Sequence, residues 1–489
     1  MRILVAGGTV ATASGSFRAD VLAEGGIILE VGENLAHDGA QVLDASGLLV
    51  IPGGVDVHTH FGLDVGFAQV ADDFNHGTKA AAMGGVTCVV EHPGFGPVGC
   101  GLLHQIDAFK ALADGRCCVD YGLHGVAQGD GHFDGLADLA RAGCPSVKAY
   151  TTYGGRLTEE PLLSLMDAAA SSPLPVLVAV HCEDHALVSY LAARYRAIAP
   201  HDPMSHARSR PDYAEALAVR QAAALARAAG ATLYVVHLSS AAGLRAVQDA
   251  QAEGVRVIAE TCPQYLLLDG TRYQGPDGLA YVMAPPLRRA EDQQALWRGL
   301  REGSISVAAT DHCAFSLADK RRLGGATDFS GVAGTNEASG ISEALEATGG
   351  AGRSGPVGTP GVFDCPGGIP GVQTRLPLLY TYGVLAGRMT LERFVGVCCT
   401  APARVMGLTR KGRLEPGFDA DITVLDPHSE RVISASTLNQ HVDYTPFEGM
   451  TVRGWPRHVL SRGQLVVQDG QFVGEPSWGR FVHRTLETS

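Results

Sequence analysis

Ile51-Pro52-Gly53-Gly54-Val55-Asp56-Val57-His58-Thr59-His60 is the stretch that decides the fold. An apolar run leads into two histidines one residue apart. Side chains alternate faces along a strand, so His58 and His60 point the same way and can hold one metal ion between their imidazole nitrogens. Alone, the spacing is weak, because two such histidines also simply finish a strand. Its meaning comes from the rest of the chain.

Upstream, residues 1–52 read as short strands over 3–5, 21–23, 27–31, 41–44 and 48–51. Gly7-Gly8-Thr9-Val10 lacks both the third glycine and the following helix of a dinucleotide fingerprint, so a small β-domain is expected instead. Downstream the pattern turns to strand and helix in alternation. Apolar runs at 55–58, 86–91, 119–126, 146–150, 176–181, 233–238, 255–260 and 304–311 predict eight strands. Between them lie helical stretches such as 214–229, ended by Gly230. The fold class expected is α/β, a (β/α)8 TIM barrel with its active site at the C-terminal strand ends.

Residues 330–362, rich in Gly, Ser, Thr and Pro, follow the eighth strand and read as a lid or an inert insertion. Helices are expected at 391–399 and 402–406, then β character at 412–425, 459–460 and 465–467. The simplest architecture pairs this C-terminal β segment (406–475) with the N-terminal one (1–52). The two termini would then form a small β-sandwich beside the barrel (53–405), with a tail at 476–489.

The balance of 38 Lys and Arg against 51 Asp and Glu, a net charge of -13, argues against nucleic acid or an anionic membrane as partner, since nothing neutralises phosphates. Eleven cysteines without zinc-finger spacing, many inside apolar runs, read as reduced thiols of a cytoplasmic protein. Neither an apolar core of signal-peptide length at the N-terminus nor an apolar run of membrane-spanning length is present, so neither export nor a membrane span is expected.

The predicted strand ends carry His58 and His60, Lys148, His181, His237 and Asp311. Lys148, inside Pro145-Ser146-Val147-Lys148-Ala149-Tyr150, would bury an ammonium unless it snorkels out, pairs with a carboxylate or is modified. Reaction with carbon dioxide turns the amine into a carbamate that can bridge two divalent ions. Four histidines, a carbamate and an aspartate suffice for two zinc-like ions sharing a hydroxide, with the aspartate carrying the proton to a leaving nitrogen. That is hydrolysis chemistry, most naturally of an amide.

The chain resembles the cyclic amidohydrolases, specifically the hydantoinase and dihydropyrimidinase group, over nearly its whole length. The matching pieces include Pro52 to His60, Asp73-Phe74-Asn75-His76-Gly77-Thr78, Ser146-Val147-Lys148 and Leu233 to Ser240. Glu260-Thr261-Cys262-Pro263-Gln264-Tyr265-Leu266, Ala284-Pro285-Pro286-Leu287-Arg288, Ala309-Thr310-Asp311-His312-Cys313 and Gly417-Phe418-Asp419-Ala420-Asp421 complete them. The resemblance implies a dinuclear site, usually zinc, with His58, His60 and Asp311 on one ion, His181 and His237 on the other, and carboxylated Lys148 between. It also implies a homotetramer, with the tail around 479–484 packing on a neighbouring subunit, and a substrate that is a small cyclic amide. Tyr153 matches the tyrosine that hydrogen-bonds the substrate carbonyl and developing oxyanion.

Departures bear on the ring. Ala284 stands where relatives often carry serine, and Gly367 where they carry asparagine. These positions read the ring amide largely through backbone groups. His92, after Glu91, stands where phenylalanine is commoner; a place at the pocket rim is one reading, but a bystander is the expected one. Cys182 and His312 each follow a ligand and are expected to face outward as packing residues; Cys313, past the predicted strand end, is expected to be a packing thiol. The leading reading is hydrolysis of a hydantoin or dihydropyrimidine-like ring to an N-carbamoyl amino acid. Allantoinase is the nearest alternative within the class, and a non-catalytic dihydropyrimidinase-like scaffold is the alternative outside it. Dihydroorotase is disfavoured because Gly62 stands where that relative carries an arginine.

Overall fold

Eight parallel strands follow one another around a closed barrel in a computed structural model that describes residues 1–36, 38–128, 133–325 and 360–487. They are Gly54–Thr59, Val86–Glu91, a third strand in two pieces (Asp120–Leu123 and Gly125–Val126), Ser146–Tyr150, Leu177–His181, Leu233–Val235, Val257–Thr261 and Val307–Ala308. Neighbours pair in sequence order. Closure between the eighth and first strands comes from the Thr59–His312 bridge, where His60 N donates to His312 O at 2.8 Å. Arg375 completes the seam by donating to Val55 O at 3.0 Å and Ala308 O at 2.6 Å. The TIM barrel expected from the strand pattern is therefore present.

Three strands differ from expectation for identifiable reasons. The eighth is short because side chains replace its ladder: Asp56 accepts from Thr310 N at 3.2 Å and from Thr310 Oγ1 at 2.7 Å. The sixth stops at Val235, shortly before His237 turns to φ +38. The third changes partner at His124, whose Nε2 donates to Val57 O at 3.2 Å while Ser146 Oγ donates to Nδ1 at 2.8 Å. This leaves the first piece of the third strand with an open edge, and backbone groups at a buried edge need partners. The tail supplies them: Tyr121 N donates to Arg480 O at 3.0 Å and Val482 N to Tyr121 O at 2.7 Å. Fully buried Arg484 then bonds Leu123 O and, at 2.9 Å, Ser146 Oγ. The tail thus docks between the third and fourth strands of its own barrel.

Both chain ends join in one nine-stranded sheet, the form taken here by the expected β-sandwich. Leu49–Pro52 pairs antiparallel with Ile422–Asp426, setting Val50 opposite Val424. Ile3, Val5, Val10 and Val21 from one end bury against Ile422, Val424 and Leu460 from the other. The Gly7-Gly8 pair is a bulge in the strand Arg2–Thr12, with Gly7 at φ +72 and its N–H donating to Asp20 Oδ1 at 2.7 Å. No phosphate loop is formed there. The Gly-rich stretch 330–362 lies outside the described residues except for its last three. No described helix is long and apolar enough to cross a membrane.

Barrel, sheet and tail meet on one buried charge cluster. Lys411 Nζ lies 2.6 Å from Asp120, 3.0 Å from Asp419 and 2.8 Å from Asp421, and Arg462 Nε reaches Asp120 at 3.1 Å. Removing one partner from such a cluster leaves uncompensated buried charge, at about 3–5 kcal/mol. Lys411→Met is therefore expected to lower the thermal unfolding midpoint clearly while leaving the KM of the folded fraction unchanged. An unaltered midpoint would rule out this cluster as a structural bolt.

Candidate active site

All six sequence-predicted ligands converge at the C-terminal mouth of the barrel. His58 and His60 end the first strand on one face, Lys148 sits within the fourth, and His181 closes the fifth. His237 and Asp311 follow the sixth and eighth strands. Asp311 Oδ1 lies 3.2 Å from His58 Nε2 and 3.2 Å from His60 Nε2, and the three ligand atoms fall within 4.8 Å of one another. On the other side, His181 Nδ1 faces His237 Nε2 at 2.9 Å. A tetrahedral ion with bonds near 2.0 Å separates its ligands by about 3.3 Å. Both groups fit a divalent metal of that size.

Surrounding groups fix the imidazole tautomers. Glu260 Oε1 accepts from His58 Nδ1 at 2.7 Å and from His237 N at 3.0 Å, while its Oε2 accepts from Tyr234 Oη at 2.7 Å. His60 Nδ1 donates to His92 O at 3.1 Å. Each ring therefore turns an unprotonated Nε2 towards Asp311, as a ligating histidine requires. His181 is the mirror case: Nε2 donates to Glu183 Oε2 at 2.9 Å, which leaves Nδ1 towards His237. Burial drives His58 and His237 well below the ordinary histidine pKa, so the neutral form prevails. Burial also raises Glu260, to about 7. At Glu183 burial is outweighed by Arg210 and His181, which hold the carboxyl down to about 2.

Lys148 is 1% exposed, and no carboxylate reaches ion-pair distance of it among the described residues. It neither snorkels nor pairs. Burial brings its amine down to about 8. Tyr153 stands beside His181, ring centroids 5.1 Å apart, and the Arg210 guanidinium lies 5.4 Å over its ring. Tyr153, His237 and Asp311 adopt φ of +75, +38 and +54, left-handed values that cost L-residues roughly 1–3 kcal/mol each and gather at functional sites.

Ala284 and Gly367 lie on abutting backbone strips: a Cβ built on Gly367 would sit 3.8 Å from Met283 Cα and 3.9 Å from Ala284 N. The neighbouring Gly368 packs on Cys313, two residues past Asp311, so Cys313 is the packing thiol expected. Cys182 is likewise buried. His92 keeps to the bystander reading. It is buried away from the rim, 4.3 Å from the His58 ring and stacked on His124 at 3.9 Å and 2°. His312 faces outward as expected yet does more than pack: Nε2 donates to Asp72 Oδ2 at 2.9 Å, and Nδ1 accepts from Gly371 N at 3.1 Å and Val372 N at 3.2 Å. Glu260, Glu183 and Arg210 were missed. The Glu-Thr-Cys-Pro-Gln-Tyr run and the position of Glu183 two residues past His181 were the available signals.

A model of the amidohydrolase family matches residues 49–466, most of the chain. The chain belongs to the amidohydrolase family. It is 40% identical over 489 residues to the D-phenylhydantoinase of Escherichia coli O9:H4 (strain HS), covering 99% of this chain and 98% of that one. Its fold superposes on the dihydropyrimidinase from Brevibacillus agri with a TM-score of 0.89 at 34% identity, covering 100% of both chains. The L-hydantoinase (dihydropyrimidinase) from Arthrobacter aurescens gives 0.85 at 28% identity, covering 99% of both. As an amidohydrolase with a His, His, Asp cluster, the chain binds divalent metal at this mouth.

Proposed function

We propose that this amidohydrolase opens the cyclic amide of a hydantoin or dihydropyrimidine-like ring to an N-carbamoyl amino acid. The observation that carries the reading is the convergence of His58, His60, Lys148, His181, His237 and Asp311 at one barrel mouth. Relatives named for hydantoins over the full chain length give the substrate class. The left-handed φ of +63 at Gly62 disfavours a side chain there, which weighs against the arginine of a dihydroorotase.

His58, His60 and Asp311 would hold one zinc ion and His181 and His237 the other. Lys148, carboxylated by carbon dioxide, would lie between them. Its burial supports this by favouring the neutral amine that attacks carbon dioxide. When bound, the ions supply Lewis acidity at the scissile carbonyl and a water of lowered pKa. Asp311 takes the proton of the attacking water and passes it to the leaving ring nitrogen. Tyr153, kept protonated because burial raises its pKa, donates its hydroxyl hydrogen to the oxyanion. Backbone groups at Ala284 and Gly367 read the ring amide.

Several further readings go with this one. All eleven cysteines are unpaired, which suits a reducing, cytoplasmic setting. The helix His185–Ile198 buries only Val188 and exposes Tyr190 and Ile198, an apolar face that suits the homotetramer expected of the group and that sedimentation of the whole chain tests.

The deciding experiment supplies the protein with zinc and bicarbonate and offers hydantoin, 5-phenylhydantoin, dihydrouracil, allantoin and dihydroorotate side by side. Opening of a hydantoin or dihydrouracil, lost on chelation and restored by metal, is expected. Turnover of allantoin alone would move the chain to the allantoinases. No turnover and no bound metal would leave the scaffold.

A further inference from the structure

Besides Lys148 and Lys411, a third buried lysine lies beyond the catalytic mouth. Lys320 belongs to the short helix Leu317–Leu323, whose neighbours Arg321 and Arg322 face solvent. Lys320 itself is 0% exposed. Its ammonium donates to Val282 O at 2.8 Å and to Pro366 O at 3.1 Å, and it forms no ion pair among the described residues. Burying a cation on carbonyls alone is costly, so its place needs a reason.

The two carbonyls supply that reason. Val282 lies two residues before Ala284, and Pro366 immediately precedes Gly367. Val282 O also accepts from Gly368 N at 3.0 Å, so one oxygen receives a donor from each direction. The adjoining Met283 O is held by His206 Nε2 at 2.8 Å. Gly368, at φ +152, could not carry a Cβ, which would fall 2.5 Å from Cys313 O. Strip, strip and the loop after Asp311 are thus in closest packing, and among the described residues Lys320 is the one side chain that bonds both strips.

The geometry points to Lys320 as a positioning residue that sets the separation of the Val282–Ala284 and Pro366–Gly368 backbone strips, and through them the fit of the ring amide. The inference rests on the reading of Ala284 and Gly367 as ring contacts. Lys320 bonds two backbone carbonyls and no proposed metal ligand, so its loss is expected to act on substrate binding and not on the reacting groups.

The test compares wild type with Lys320→Met, which keeps the length and removes the donors, on 5-phenylhydantoin or whichever ring wild type opens best, with metal content measured alongside. KM is expected to rise about tenfold at full metal loading, with kcat within about threefold, the signature of lost ground-state binding. Lys320→Arg, which retains donors to both carbonyls, is expected to recover part of the KM. A wild-type KM in Lys320→Met, or a loss of kcat that simply follows lost metal, overturns the role. Should Lys320→Met fail to fold, Lys320→Arg and Lys320→Gln carry the test: each changes the reach of the donor, a several-fold KM shift at full metal supports the role, and wild-type KM in both overturns it. Wild type that opens no ring overturns the functional reading and this inference together, whereas turnover with an unmoved KM overturns only Lys320.

Discussion

Lys148→Ala is expected to abolish ring opening, by at least about 10³-fold, while the far-UV spectrum stays that of the wild type; a loss of that size is about 4 kcal/mol of transition-state stabilisation. The side chain is buried without a carboxylate partner, so deleting it removes an unpaired amine from the barrel and leaves a modest cavity. Few contacts of the fold depend on it. Under the proposed reading the two imidazole groups would depend on it, since neutral histidines bring no charge to offset two dications. Metal content should fall with activity. Lys148→Arg sharpens the test: it keeps a positive charge but its guanidinium forms no carbamate under these conditions, so it should be as inactive as alanine. Unchanged hydrolysis in either variant would sink the bridging role.

The proposed ligands were legible in the sequence because each lies within or just past an apolar run. Once the runs are read as parallel strands, the residues at their C-terminal ends must share one mouth. The layer behind them was not legible. Glu260 is 202 residues from the His58 it orients, and no periodicity joins the two. Arg210 lies on no strand, yet it serves Glu183 and Tyr153 at once. Side-chain replacement of ladder hydrogen bonds likewise leaves no pattern, so the shortened eighth strand was overestimated. Arg484 shows the same limit from the other end of the chain: a charged residue in a tail reads as solvated, but backbone carbonyls at an open strand edge bury it completely. The long register of the N-terminal sheet was underestimated because its glycines, which break an apolar run, serve here as a bulge within one strand.

Asp311→Asn is the second large effect and isolates the chemistry from the fold. Asparagine matches the aspartate in shape and tolerates the left-handed φ of +54 found there, so the backbone has no cause to move. The amide N–H can still donate a hydrogen bond to the unprotonated Nε2 of His58 or His60, but the group carries no anion and takes up no proton. A general base removed in this way costs typically 10²–10⁴-fold. Loss of an anionic metal ligand adds to that, so a fall in kcat of about 10³–10⁴-fold is expected. The proposed ring contacts at Ala284 and Gly367 lie on other strips, and KM should stay within a few-fold. Metal analysis divides the two contributions: a variant that keeps its ions but turns over no ring assigns the loss to proton transfer, while one that sheds an ion assigns it to coordination. Retention of activity within tenfold would exclude both roles, and would require the proton to travel by way of a group other than the one carboxylate that meets His58 and His60 at 3.2 Å.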